Sequence, residues 1–504
     1  MRVHFKRGLV AAVLLTTTAQ FAAAEVTAQD VWSDWKDYMT SVGYEVAGNE
    51  SQSGDTLTIT DLSMSITMPG ADGRAAFTMN SLAFVGNSDG TVTVNLPSTM
   101  PLHISGKDGG EEMDVTVNYT QSGHSMTVSG DPGDINYEYS ASQIGITLAS
   151  FNFEGQAMPP EMARFALTLT NVQTKSHVKT SGVREYSQTM SMDSLTYDAA
   201  FDDPDSDDGG TFTGSVVDLT FTGSGVIPPN MNSGDFAAMM KAGFALDGTF
   251  EYASGNSNVN AVGDGENFTM VTSSQGGRLG VAMNSQHLAY DLGQKGTSIN
   301  VTTNQLPFPV SAEMSEIGLK LDMPIGVSDE EQNFALSVKL GDFTTSEMIW
   351  GLVDPGKVLP RDPASVIVDL AGKVKVLANF MDPAVIATLS GPPGEINALT
   401  INQLLVSAVG AKLTGTGDFT FNNADLVSFG GVPAPAGVAE LQLSGANGVM
   451  DKLIQMGLLA EAEAMPARMM MGMLAVPGEG EDSLVSKIEI GEDGSISANG
   501  QRIK

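Results

Sequence analysis

Apolar residues recur with two different periods along the chain. Over Asp30 to Met39, Val31, Trp32, Trp35, Tyr38 and Met39 fall three and four apart with polar residues between them. That spacing predicts one amphipathic helix, closed by Gly43. Beyond it the period becomes two. Val92, Val94 and Leu96 alternate with polar residues, as do Val115, Val117 and Tyr119, and Ile135, Tyr137 and Tyr139. The alternation returns at Ile144/Ile146/Leu148, Phe165/Leu167/Leu169, Val217/Leu219/Phe221 and Leu279/Val281/Met283. Half-apolar strands of this kind belong to antiparallel sheets with one wet face. Between Leu57/Ile59 and Leu62/Met64/Ile66/Met68 the phase slips by one residue, which predicts a bulge or break at Thr60-Asp61.

Turn chemistry punctuates the strands. Asp-Gly pairs begin at Asp72, Asp89, Asp108, Asp208, Asp247, Asp264 and Asp493, and each suits a tight hairpin turn. A meander follows. Helical periods interrupt it at Asp235 to Lys241, at Thr344 to Leu352 and, most clearly, at Val449 to Leu459, resuming past Pro466 to Leu474. Short strands at Ile488/Ile490 and Ile496 close the chain. The expected fold is mainly β: a long, curved antiparallel meander with an N-terminal helix and a few short helices. The expected organisation is a leader over 1–24, a helix-plus-β region over 25–300 and a second β region with a terminal helix over 301–504. Pro159-Pro160, Pro228-Pro229 and Pro392-Pro393 mark sub-boundaries, and no fixed-period repeat is visible.

Charge narrows the classes of function. The 504 residues carry 59 Asp and Glu against 25 Lys and Arg, a formal net charge of −34. Phosphate neutralisation needs clustered cations, so binding of nucleic acid through the chain's own charge is excluded, and docking on anionic lipid is disfavoured. Arg2, Lys6 and Arg7 precede an apolar run from Gly8 to Leu15 and the small residues Ala22-Ala23-Ala24, the pattern of a signal peptide cleaved before Glu25. No later apolar run is long enough to span a bilayer. The expected location is the periplasm, with secretion as the alternative. The chain has no cysteine, which removes disulfides, thiol catalysis and thiolate-bound metal.

Candidate chemistry is sparse. Ser88 lies in Gly86-x-Ser88-x-Gly90, but a nucleophile elbow needs a helix after it, and Thr91 to Leu96 reads as a strand; a hairpin turn is expected. Ser33-x-x-Lys36 and Ser176-x-x-Lys179 are short patterns that a Ser-rich chain produces by chance. His103, His124, His177 and His287 share no local two-histidine spacing. Asp203, Asp205 and Asp207 alternate like the start of a calcium loop, yet Asp208 and Gly214 stand where a glycine and a carboxylate donor belong. The loop therefore reads as a solvated turn with weak calcium binding as its chemical alternative. No other cofactor is expected. Met465, Met469, Met470, Met471 and Met473 form a pliable apolar segment. With Met450, Leu453 and Leu458, the residues Met469, Met470 and Met473 are the expected lining at one end of an apolar cavity.

Several motif islands resemble one bacterial family. Trp350, Asp354-Pro355 and Leu359-Pro360-Arg361-Asp362-Pro363-Ala364 form the most specific of them. Val31-Trp32-x-x-Trp35-Lys36 with Gly43-Tyr44 forms another. The others are Leu443-Ser444-Gly445, Met456-Gly457-Leu458-Leu459 and Gly494-x-Ile496-x-x-Asn499-Gly500. Together they resemble the family called domain of unknown function 2125, from about residue 28 to the end. The resemblance implies an exported envelope protein with no established activity and no catalytic residues to transfer. The expected function is non-enzymatic binding of a lipid or other hydrophobic ligand in a β-lined groove. Its alternative is a structural or adhesive envelope module with a side-chain-filled core.

Overall fold

The computed structural model describes residues 25–68, 73–108, 111–203, 206–229 and 236–504. All 27 described strands belong to one antiparallel sheet. The leader expected over 1–24 lies outside the described residues, as do Asp72, Asp205 and Asp235.

Pairing follows chain order. Glu45–Ser53 pairs with Thr56–Met68, which pairs with Gly73–Gly86. Further on, Asp134–Phe153, Ala163–Thr180, Arg184–Asp202 and Gly209–Ile227 pair in succession. Ala245–Tyr252 and Ser254–Gly263 lie end to end along Gly209–Ile227 and act as one interrupted strand. The succession runs through His287–Thr303, Val310–Pro324, Gln332–Thr345, Ala364–Val376, Gly394–Ala408, Ala411–Asn422 and Ala434–Ser444 to Ser483–Ile490. Residue 300, where the sequence suggests a division, lies inside His287–Thr303.

Many strands are far longer than the usual five or six residues; Asp134–Phe153 has 20. Bulges let them bend. At Asp61, as the phase slip predicts, the backbone turns left-handed (φ 52°), and Ala47/Asn49 face Ser63/Thr60 across a shifted register. Opposite it, a Cβ on Gly48 would lie 2.8 Å from Ile59 Cγ2, so any larger residue would force Ile59 to shift. Asn171, Asp218 and Asp342 repeat the conformation, with φ of 51°, 52° and 49°. Asn and Asp tolerate this region because their short polar side chains bond locally; Asn171 Nδ2 donates to Asp193 at 2.6 Å. Each bulge places consecutive inward residues three apart: Ile59/Leu62, Leu169/Val172, Val216/Leu219 and Leu340/Phe343. Val217 is therefore on the opposite face from Leu219 and Phe221, contrary to simple alternation.

The helix expected at Asp30 to Met39 spans Ala28–Ser41, started by a reciprocal Thr27–Asp30 capping box. The other expected helices are Phe236–Lys241, Glu347–Val353, Ala446–Gln455 and Glu461–Leu474. Pro383–Thr388, capped by Asp382 with proline in its first turn, is additional. Among the Asp-Gly pairs, those at Asp89, Asp264 and Asp493 make turns. Asp247-Gly248 does not: it lies inside Ala245–Tyr252, where the Phe221 ring covers Gly248 at 3.1 Å from a would-be Cβ. Among the described residues, no helix is long and apolar enough to cross a membrane.

Candidate functional site

Residues paired across antiparallel strands share a face, so the register traces what each face presents. Met126 faces Tyr139, Thr174 and Met190 in turn, and Met190 faces Phe221. Phe221 faces Phe250, then Leu279, Leu292, Leu319 and Val338. Val338 leads to Val368, Leu404, Gly415 and Leu441. This is one nearly unbroken apolar row running perpendicular to the strands. At ~4.8 Å per strand step it is on the order of 60 Å long. A parallel row joins Phe165, Ala199, Phe212, Val259, Met270 and Val301 on the same face.

Most of this face is uncovered. Phe250, Leu292 and Leu319, in the middle of the row, are 40%, 39% and 40% exposed. The rings lie flat rather than projecting. A Cβ on Gly372 would stand 2.5 Å from the Phe334 ring, and one on Gly277 would overlap the Tyr252 ring. Phe221 and Phe250 pack against each other at 4.4 Å between centroids. Aromatic side chains that recline over neighbouring glycines give the sheet a smooth apolar surface without filling the space above it.

Two features bound the face. At its N-terminal end, Trp32 and Trp35 of Ala28–Ser41 pack on Phe84 at 6.0 and 5.4 Å, and Trp35 lies 6.4 Å from Tyr137. Asp34 accepts hydrogen bonds from both terminal nitrogens of Arg184, at 2.5 and 2.9 Å, and from the Tyr137 hydroxyl at 2.7 Å. Burial, reinforced by the Asp34 charge, pushes the Tyr137 phenol far above its ordinary value. Along one side, Met240, Phe244, Phe380 and Met381 fold over Met283, Leu288 and Met323 as a wall. Near the C-terminal end a cleft of about 460 Å³ has a largely polar lining, with Gln403, Thr414, Thr416, Glu440, Gln442 and Lys487 beside Leu404 and Leu441.

The opposite face is polar. Arg278 pairs with Glu251 and Asp291 at 3.4 and 3.3 Å, and Lys339 with Glu316 at 3.7 Å. These residues surround an open cleft of about 630 Å³.

The structure does not gather the expected cavity residues into one lining. Met450 and Leu453, on Ala446–Gln455, are half-buried. Leu458, Met469, Met470 and Met473 are exposed, Met469 at 70%, and none of them lines the four main clefts. The inward face of Glu461–Leu474 is formed instead by Ala464, with Met471 and Leu474 partly buried. The helix meets the apolar face only at its end, where Ser486 Oγ donates to Leu474 O at 2.6 Å. Sequence spacing finds the helix but not its rotation.

The remaining candidates are engaged in local structure. Ser88 sits in the hairpin turn between Gly86 and Val92, which pair. His177 contacts Asp134 at 2.6 Å and holds its carboxyl below the usual range; His287 contacts Asp322 at 2.5 Å. His103 and His124 contact Thr116 Oγ1 and Leu96 O at 3.1 and 3.0 Å. In the acidic loop, Ser206 Oγ donates to Asp203 at 2.9 Å, and Asp208 accepts from the Asp264 N–H at 3.0 Å. Asp207 is exposed. Among the described residues, no group of three or more His, Asp or Glu could hold a metal ion.

The best-built loop is the one carrying the Trp350 motif. Asp354, 1% exposed, accepts from the N–H groups of Val358 and Leu359, each at 2.9 Å, and from Arg361 at 2.7 Å. The Arg361 guanidinium stacks over Trp350 at 4.3 Å. The motif thus locks the crossing from Gln332–Thr345 to Ala364–Val376. No family model matches the chain, and neither a curated protein nor a solved structure matches it significantly.

Proposed function

We propose that the protein is a non-enzymatic exported envelope protein that binds a lipid or other hydrophobic ligand along the apolar face of its sheet. The half-exposed row through Phe250, Leu279, Leu292 and Leu319 carries this reading. Apolar surface of this extent is costly to leave in water, and covering it releases roughly 25 cal/mol per Å². The polar groups beside it are spread over the other face, where they pair with one another. The signal-peptide pattern over 1–24 supports export, and the motif islands support membership of the family called domain of unknown function 2125.

The alternative, a structural or adhesive module with a filled core, finds its support at the N-terminal end, where Trp32 and Phe84 are fully buried. Mass spectrometry of lipids extracted from the protein purified from its native envelope tests the choice. Co-purifying acyl lipids are expected. A lipid-free protein that also takes up no fluorescent fatty-acid probe would leave the structural reading in place.

A further inference from the structure

We infer that the face holds several acyl chains at once, laid end to end across the strands, and that zwitterionic lipids supply them. This rests on the lipid-binding reading above. A bilayer's hydrocarbon core is ~30 Å thick, so one acyl chain spans ~15 Å, and a row on the order of 60 Å accommodates about four. The row carries no charged side chain to divide it. Met190, Phe221, Phe250, Leu279, Leu292 and Leu319 succeed one another strand by strand.

Both halves of this inference depend on residues already located. The half-exposed middle of the row gives no single pocket where one chain would be held in preference to its neighbours. Ala28–Ser41 already sits on the N-terminal end of the same face, burying Phe84 and Val128 as a ligand would. Multiple occupancy therefore extends from the edge of this helix toward Leu441. The headgroup is constrained by charge. With a net of −34 the chain repels anionic lipids, whereas a zwitterionic headgroup meets no net repulsion.

The test is a titration of the full mature chain with palmitoyl-lysophosphatidylcholine below its micellar concentration, read by native mass spectrometry. Adducts rising to about four per chain are expected from the length ratio. Leu319→Glu, at a half-exposed position, should reduce the highest adduct number by at least one while leaving the others. Circular dichroism of the variant should match the unmodified chain. The anionic analogue palmitoyl-lysophosphatidylglycerol should bind at least ~10-fold more weakly at low salt. Saturation at one adduct overturns multiple occupancy and leaves lipid binding standing. A higher number that Leu319→Glu does not change marks non-specific adducts and overturns it too. Equal binding of the two headgroups removes the zwitterionic assignment. No adduct with either lipid overturns the lipid-binding reading itself.

Discussion

Asp34 and Arg184, 150 residues apart, meet in a two-pronged ion pair that fastens the N-terminal helix across the sheet. Both side chains are largely buried, at 11% and 15% exposure, and Tyr137 shares the carboxylate. Truncating one partner would leave the other charged and enclosed. Arg184→Ala should therefore destabilise the N-terminal end by about 3 kcal/mol. Arg184→Lys should recover only a fraction of this, because an ammonium cannot reproduce the fork. Urea unfolding followed by tryptophan fluorescence reads this, since Trp32 and Trp35 lie at the junction.

The left-handed bulges predict a different sensitivity. Asp218→Val should cost about 1–2 kcal/mol, because a β-branched residue is disfavoured at positive φ. Asp218→Gly should stay within ~0.5 kcal/mol, glycine being indifferent to the sign of φ. Thermal unfolding of the two variants separates local strain from any loss of the carboxylate itself.

Asp354 predicts a pH dependence. Burial alone would raise its carboxyl, but the Val358 and Leu359 N–H groups and the Arg361 guanidinium outweigh it and hold the value below the ordinary one. The folded value lies under the unfolded one. The contribution to stability is thus complete above the ordinary Asp value of ~3.9 and is lost as pH falls through the lower folded value. Asp354→Asn should lower the urea midpoint at neutral pH and flatten its fall in acid. A variant whose acid profile parallels the unmodified chain would contradict this role.

Met469 and Met473 lie on the outer stripe of Glu461–Leu474, where charge is tolerated. Met469→Glu combined with Met473→Glu should change stability by no more than ~0.5 kcal/mol. Lipid occupancy should be unchanged, because the apolar row does not include them. A fall in occupancy would restore the methionines to the lining.

The sheet was legible in the sequence because half-buried antiparallel strands write their burial into every second residue. Leu279/Val281/Met283 and Ile135/Tyr137/Tyr139 each share the apolar face, as their alternation predicts. The bulge at Asp61 was legible because Ile59 and Leu62 frame a visible slip. The same apolar-x-Asp/Asn-apolar signature stands at Leu169 to Val172, Val216 to Leu219 and Leu340 to Phe343; at the second of these Val217 hides the change of phase. The continuity of the apolar row was not legible. It depends on which residue faces which across successive strands, and register is set by turns and bulges together. Nor does any local pattern announce that Asp34 and Arg184 meet.

Because each long strand pairs with its neighbours in chain order, the sheet is close to a one-dimensional object. Its cohesion is a sum of nearest-neighbour terms, as in repeat proteins, though no sequence unit repeats. Such a chain can assemble in the order in which it is synthesised, each finished strand serving as the template for the next. It needs no distant segment to arrive before it starts. The same topology makes it open in sections: a break between Val310–Pro324 and Gln332–Thr345 would leave a stretch of sheet on either side, each keeping its own pairings. Local fraying, rather than collapse of the whole, is the mode of failure built into the molecule.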